Sequence, residues 1–206
     1  MLAYQPRTGR LGTAAFSERY GAQLAEAAGP VRIPITADVA LFSEAVDLGR
    51  DLLWWHTSGE RFAPTPGARL PAGSAKEVAP VTAMPESLKD CRYDPDAEQL
   101  TVATGIFALV SPAVWDFEVS GLRVLRSWLG YRMKNRKGRK CSELDNIRPH
   151  RWTQSAELLL VLSILEHTVE VTPRAADLLD RIVNGPLIPA ADLPKPTEAQ
   201  RKPPKP

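Results

Sequence analysis

Between Arg132 and Lys140 the chain carries Arg132, Lys134, Arg136, Lys137, Arg139 and Lys140, with no acid among them. Trp128 and Tyr131 sit at the start of the same stretch. Like charges this close repel one another, so the run needs something anionic to face. The end of a helix favours cations through its macrodipole, but six in nine positions exceed what that effect needs. Phosphate neutralisation accounts for the density directly, because each contact releases condensed counterions. Arginine forks can also read guanine edges in a major groove. Tyr131 offers a ring on which a base or sugar could stack.

The rest of the chain sharpens the contrast. The 206 residues have a net charge of only +2. The basic run contributes +6 and the tail from Lys195 another +3, which leaves a mildly acidic body of about −7. This distribution suggests one localised polyanion site rather than a generally sticky surface. Hydrophobic content of 44% with 24% charged residues is that of an ordinary globular protein of one or two domains. Two cysteines, Cys91 and Cys141, form no disulfide or zinc pattern and suggest reduced thiols in a cytoplasm. No signal-peptide core and no membrane-length apolar run is present.

The elements that must position the cations follow from periodicity. A helix from about Leu122 to Arg136 would bury Leu122, Leu125, Leu129 and Met133. Its other face would then carry Arg123, Arg126, Ser127, Gly130, Lys134 and Lys137, with Arg139 and Lys140 in the loop beyond Gly138. Ahead of it, a hairpin is expected with strands at Asp90–Tyr93 and Gln99–Thr104 around Asp94-Pro95-Asp96. "IFALV" and "VWDFEV" read as further strands, the second ending in a Ser120-Gly121 turn. Two helices are expected near the N-terminus, Thr13–Ala28 and one capped by Asp38, joined by the extended "VRIPITAD". In the C-terminal third, helices are expected over Gln154–Val171, capped by Thr153, and over Arg174–Val183. The fold class is therefore α+β: a helical N-terminal segment, a small antiparallel β section and a C-terminal helical bundle. The expected division is a helical segment over 1–62, a Pro/Gly-rich linker or loop over 63–85, a recognition domain over 86–193 and a disordered tail over 194–206.

With these pieces in order, "VWDFEVSGLRVLRSWLGYRMKNRKGRKCSELDNIRPHRW" resembles the C-terminal specificity (target-recognition) region of type ISP restriction–modification enzymes and related N6-adenine DNA methyltransferases. The resemblance rests on the order of Trp115–Val119, Gly121, Trp128-Leu129, Arg132, Gly138-Arg139 and Asp145–Ile147, and extends over most of Phe16–Leu193. The segment from Phe16 to Phe62 resembles the connector between methyltransferase core and recognition domain. It implies a module that binds double-stranded DNA and delivers specificity to a methyltransferase or restriction partner chain. Together with the charge pattern, it makes Arg123, Arg126, Arg132, Lys134, Arg136, Lys137, Arg139 and Lys140 the candidates for DNA contact, most holding phosphates and one or two reading bases. The family's catalytic parts are not found: there is no Asn-Pro-Pro-Tyr or Asp-Pro-Pro-Tyr motif, no glycine-rich S-adenosylmethionine loop, no Walker lysine loop and no nuclease carboxylate cluster. The chain is expected to need no cofactor, S-adenosylmethionine belonging to a catalytic partner, and not to act as an enzyme by itself.

Other chemistry is weaker. His56, His150 and His167 are scattered without metal-ligand spacing, and His167 reads as structural. Trp54-Trp55 on a broad apolar helix face read as core. A stand-alone chain would leave an apolar patch on the N-terminal helices, marking a partner or self-association surface. Two rival functions stay open: an adaptor whose basic patch binds an acidic partner, and the non-catalytic half of a split N6-adenine methyltransferase.

Overall fold

The computed structural model describes residues 14–22, 33–135, 148–195 and 197. Within them the chain is α+β, with helices around a small antiparallel sheet. Helix α1 spans Ala14–Arg19 and α2 spans Val39–His56. The Asp38 carboxylate caps α2, accepting from the N–H of Ala40 at 2.8 Å and of Leu41 at 3.1 Å. The preceding Ile33–Ile35 is extended, and Thr36 bridges to Leu187.

The sheet has the order β1-β4-β3-β2, with β1 Lys76–Ala79, β2 Cys91–Asp94, β3 Gln99–Val102 and β4 Gly105–Ala108. The expected hairpin is β2–β3, with Cys91 opposite Val102 and Asp94 opposite Gln99. "IFALV" contributes β4. Edge strand β1 lies inside the Pro/Gly-rich stretch, where no regular structure was expected. Its KEVA residues are mostly exposed and carry no alternation to reveal them.

Two expectations in the middle of the chain are corrected. "VWDFEV" is not one strand: Ser111 caps a short helix α3, Pro112–Trp115, with Pro112 in its first turn, and only Glu118–Val119 forms a strand, β5. The Ser120-Gly121 turn, with φ of 51° and 79°, returns the chain into β6, Leu122–Arg123. The helix therefore starts later and ends earlier than its periodicity suggested. It is α4, Val124–Arg132. Beyond it the N–H groups of Lys134 and Asn135 donate to the carbonyls of Pro85 and Glu86, which draws the chain away from helical geometry.

The C-terminal third is one 30-residue helix, α5, Ser155–Asn184, with Pro173 inside it, rather than two helices of a bundle. Its N-cap is Gln154, not Thr153. The Thr172 hydroxyl donates to the Thr168 carbonyl at 2.7 Å in the turn where proline removes an N–H. Packing on both sides of Pro173 holds the two halves. Leu158, Leu162 and Leu165 join the main core with Leu100, Val102, Phe107, Leu125 and Leu129. Leu178 and Ile182 pack on Leu48 of α2, and Leu179 on Phe16 of α1. The helices that brace α5 thus come from the N-terminus. Gly185 ends it, as the Asn-Gly-Pro stop predicted.

Trp55 is buried and stacks on His167 with ring centroids 4.3 Å apart. His167 Nε2 lies 2.6 Å from Asp51, so both residues serve the α2–α5 contact. Val39 and Phe42 in the first turn of α2, and Phe62 beyond its other end, are exposed. Among the described residues no helix is long and apolar enough to cross a membrane, and no group of three or more His, Cys, Asp or Glu could hold a metal ion.

Candidate nucleic-acid interface

Helix α4 is anchored by Leu125 and Leu129, both 0% exposed, and by Met133 just beyond it. They recur every four residues and face the core. Leu122, expected on that stripe, lies in β6 and is exposed. The remaining face presents Arg126, Ser127, Gly130 and Tyr131 to a groove of about 310 Å³. Its other wall is Ser87, Leu88 and Lys89. A capping box builds that wall: the Ser87 hydroxyl accepts from Lys89 N, and the Asp90 carboxylate accepts from the N–H of Glu86 and Ser87. Gly130 faces Leu88 across the groove, and a Cβ there would meet Leu88 Cδ1 at 3.4 Å, an ordinary van der Waals contact.

Four of the eight predicted cations fall within the described residues, and they differ. Arg123 precedes the helix and approaches Glu118 at 3.6 Å and Asp116 at 4.0 Å. Arg132 lies over the Trp128 ring, 3.7 Å from its centroid, and its fork is paired with Glu157. Lys134 is paired with Glu86, which also accepts from Asn135 at 2.7 Å. These three charges are met by the chain's own carboxylates. The exception is Arg126: its guanidinium stands 4.7 Å above Trp115, and its Nε is buried with no partner. Arg136, Lys137, Arg139 and Lys140, and the acids Glu143 and Asp145 after them, lie outside the described residues.

The expected helical ladder is therefore broken up. Arg126, Ser127 and Gly130 share a face, whereas Arg123 and Lys134 leave the helix at opposite ends. Tyr131 is 63% exposed and forms a ridge between the groove and a second hollow of about 130 Å³. Arg151 and Trp152, on the approach to α5, line that hollow. Lys89 and Arg151 were not among the predicted cations. The Ser87-x-x-Asp90 capping-box spacing is the signal that could have marked the first.

This surface can bind an anion with a flat group beside it: open cations at Arg126 and Lys89, hydroxyls at Ser87 and Ser127, and an exposed ring at Tyr131. No curated protein and no solved structure matches the chain. The family model of the Type ISP C-terminal specificity domain matches residues 9–162, a span that contains the sheet, the groove, α4 and the whole basic run. On that match, covering well over half its length, the chain belongs to the Type ISP C-terminal specificity domain family.

Proposed function

We propose that this chain is the DNA-binding target-recognition module of a restriction–modification system. The observation that carries the reading is that the family match spans the basic run and the helix leading into it. Arg126 and Lys89 at the groove, together with Arg136, Lys137, Arg139 and Lys140, would face double-stranded DNA. Arg123, Arg132 and Lys134, already paired, would hold the scaffold. Methyl transfer or cleavage would come from a catalytic partner chain, which would also bring S-adenosylmethionine. We place that partner at the exposed apolar side chains Val39, Phe42 and Phe62.

The test is duplex binding across a salt series. With about six phosphate contacts, affinity should fall roughly a thousandfold between 50 and 200 mM salt. Replacing Arg136, Lys137, Arg139 and Lys140 together by Ala should flatten that dependence. Weak binding that ignores salt would refute the reading. The pairing of three cations by the chain's own acids favours one rival, an adaptor with a residual basic patch for an acidic protein. That rival predicts no preference for DNA over an acidic polypeptide.

A further inference from the structure

Arg126 differs from its neighbours in having no carboxylate among the described residues to neutralise it. No carboxylate among the described residues lies within ion-pair distance, and its side chain makes no hydrogen bond to them. The nearby acids are committed elsewhere: Asp90 to the Ser87 capping box, Glu86 to Lys134 and Asn135. Yet the side chain is not loose. Its guanidinium rests on Trp115, which is 8% exposed and stacked on Tyr93 at 4.9 Å. The Tyr93 hydroxyl in turn donates to the Val110 carbonyl at 2.8 Å. The fork is thus held at its base, and only its outer nitrogens are left to meet a ligand in the groove.

A fixed guanidinium suits a pair of acceptors: a phosphate, or the O6 and N7 of guanine. Leu88, Tyr131 and Met133 make the groove largely apolar, which favours a flat base edge over a hydrated phosphate. We infer that Arg126 is the specificity-determining side chain of this interface and reads a guanine edge, while Lys89 at the rim holds backbone phosphate. The inference rests on the DNA-binding reading above.

The experiment uses the full chain with a randomised duplex pool. Bound sequences are read out, and the affinity of preferred and random duplexes is followed against salt. The unsubstituted chain should enrich guanine at one fixed position. Arg126→Lys keeps the charge and loses the fork, so that preference should drop by about tenfold to a hundredfold, with the salt slope unchanged. Leu88→Trp fills the groove from the opposite wall without altering Arg126 and should cause the same loss, which covers the case of an Arg126 variant that fails to fold. Lys89→Ala should weaken all duplexes alike and lower the salt slope by about one. Unchanged enrichment in Arg126→Lys overturns the assignment. So does a uniform loss with a slope lowered by about one, the behaviour of a phosphate contact. Absence of any duplex binding by the unsubstituted chain refutes the DNA-binding reading itself, and the assignment with it.

Discussion

Arg132 sits in the basic run but is bound as a structural clamp, and removing it separates the two roles. Its guanidinium covers Trp128, its Nη1 donates to the Trp128 carbonyl at 3.3 Å, and its fork holds Glu157 across the α4–α5 gap. The side chains of Arg132 and Glu157 are 27% and 44% exposed, so the ion pair is discounted to about 0.5 kcal/mol. The contact with the indole adds about 1 kcal/mol, and the hydrogen bond about 0.5 kcal/mol. Arg132→Ala should therefore cost about 2 kcal/mol, a fall in Tm of roughly 4–8 °C for a chain of this size. Urea and thermal unfolding would measure it, with Glu157→Gln and the double variant closing a cycle. Salt-dependent duplex binding of the same variants supplies the other axis. Glu157→Gln leaves one positive charge less well neutralised and should strengthen DNA binding at low salt. The reasoning is refuted if Arg132→Ala keeps full stability and instead lowers the salt slope by about one, because Arg132 would then be spending its charge on phosphate.

Leu129→Ala, at a fully buried position under α4, should cost about 2–5 kcal/mol by urea unfolding. Gly105→Ala would place a Cβ 2.2 Å from Val81 Cγ2 and 2.9 Å from its backbone nitrogen, so that variant should lose about 1–3 kcal/mol through overpacking. Burial, with the Asp90 charge adding to it, pushes the Cys91 thiol up to about 11. At pH 8 an alkylating reagent should modify Cys91 slowly in the native chain and rapidly in urea, which peptide mapping would resolve. The hydrogen bond from Arg181, aided by the charges of Arg181 and Arg174, holds the Glu44 carboxyl below the usual carboxylate range. Stability from Glu44 is thus fully present above the unfolded value of about 4.3 and is lost as pH falls through the lower folded value. Glu44→Gln should flatten the urea midpoint between pH 5 and 3 relative to the unsubstituted chain.

The β2–β3 hairpin and the capped start of α2 were legible because their causes are local: a turn around Pro95, and a carboxylate two and three residues from the N–H groups it accepts. The misread elements have causes that lie elsewhere. Ser111 caps a helix that the strand-like alternation of Trp115, Phe117 and Val119 concealed. The expected break between Val171 and Arg174 falls at Pro173, and α5 passes through it because Leu178, Leu179 and Ile182 have surfaces to cover on the far side. The candidate site divides in the same way. Periodicity brought Arg126, Ser127 and Gly130 together correctly. It could not foresee that Arg132 would meet Glu157 or Lys134 meet Glu86, acids 25 and 48 residues away along the chain. The Ser87–Lys89 wall escaped notice because a capping box gives no hint of what it will stand opposite.

The placement of α5 imposes an order of events on the nascent chain. Phe16 rests against Leu179, and Leu48 against Leu178 and Ile182. The α5 surfaces that cover Phe16 and Leu48 are therefore synthesised long after those residues, although α1 also meets β5. The sheet and α4 pack on the N-terminal half of α5, from Leu158 to Val169, so they can settle earlier. Until α5 emerges, the side chains of α1 and α2 that pack on it are uncovered, a window in which a chaperone would reach them first.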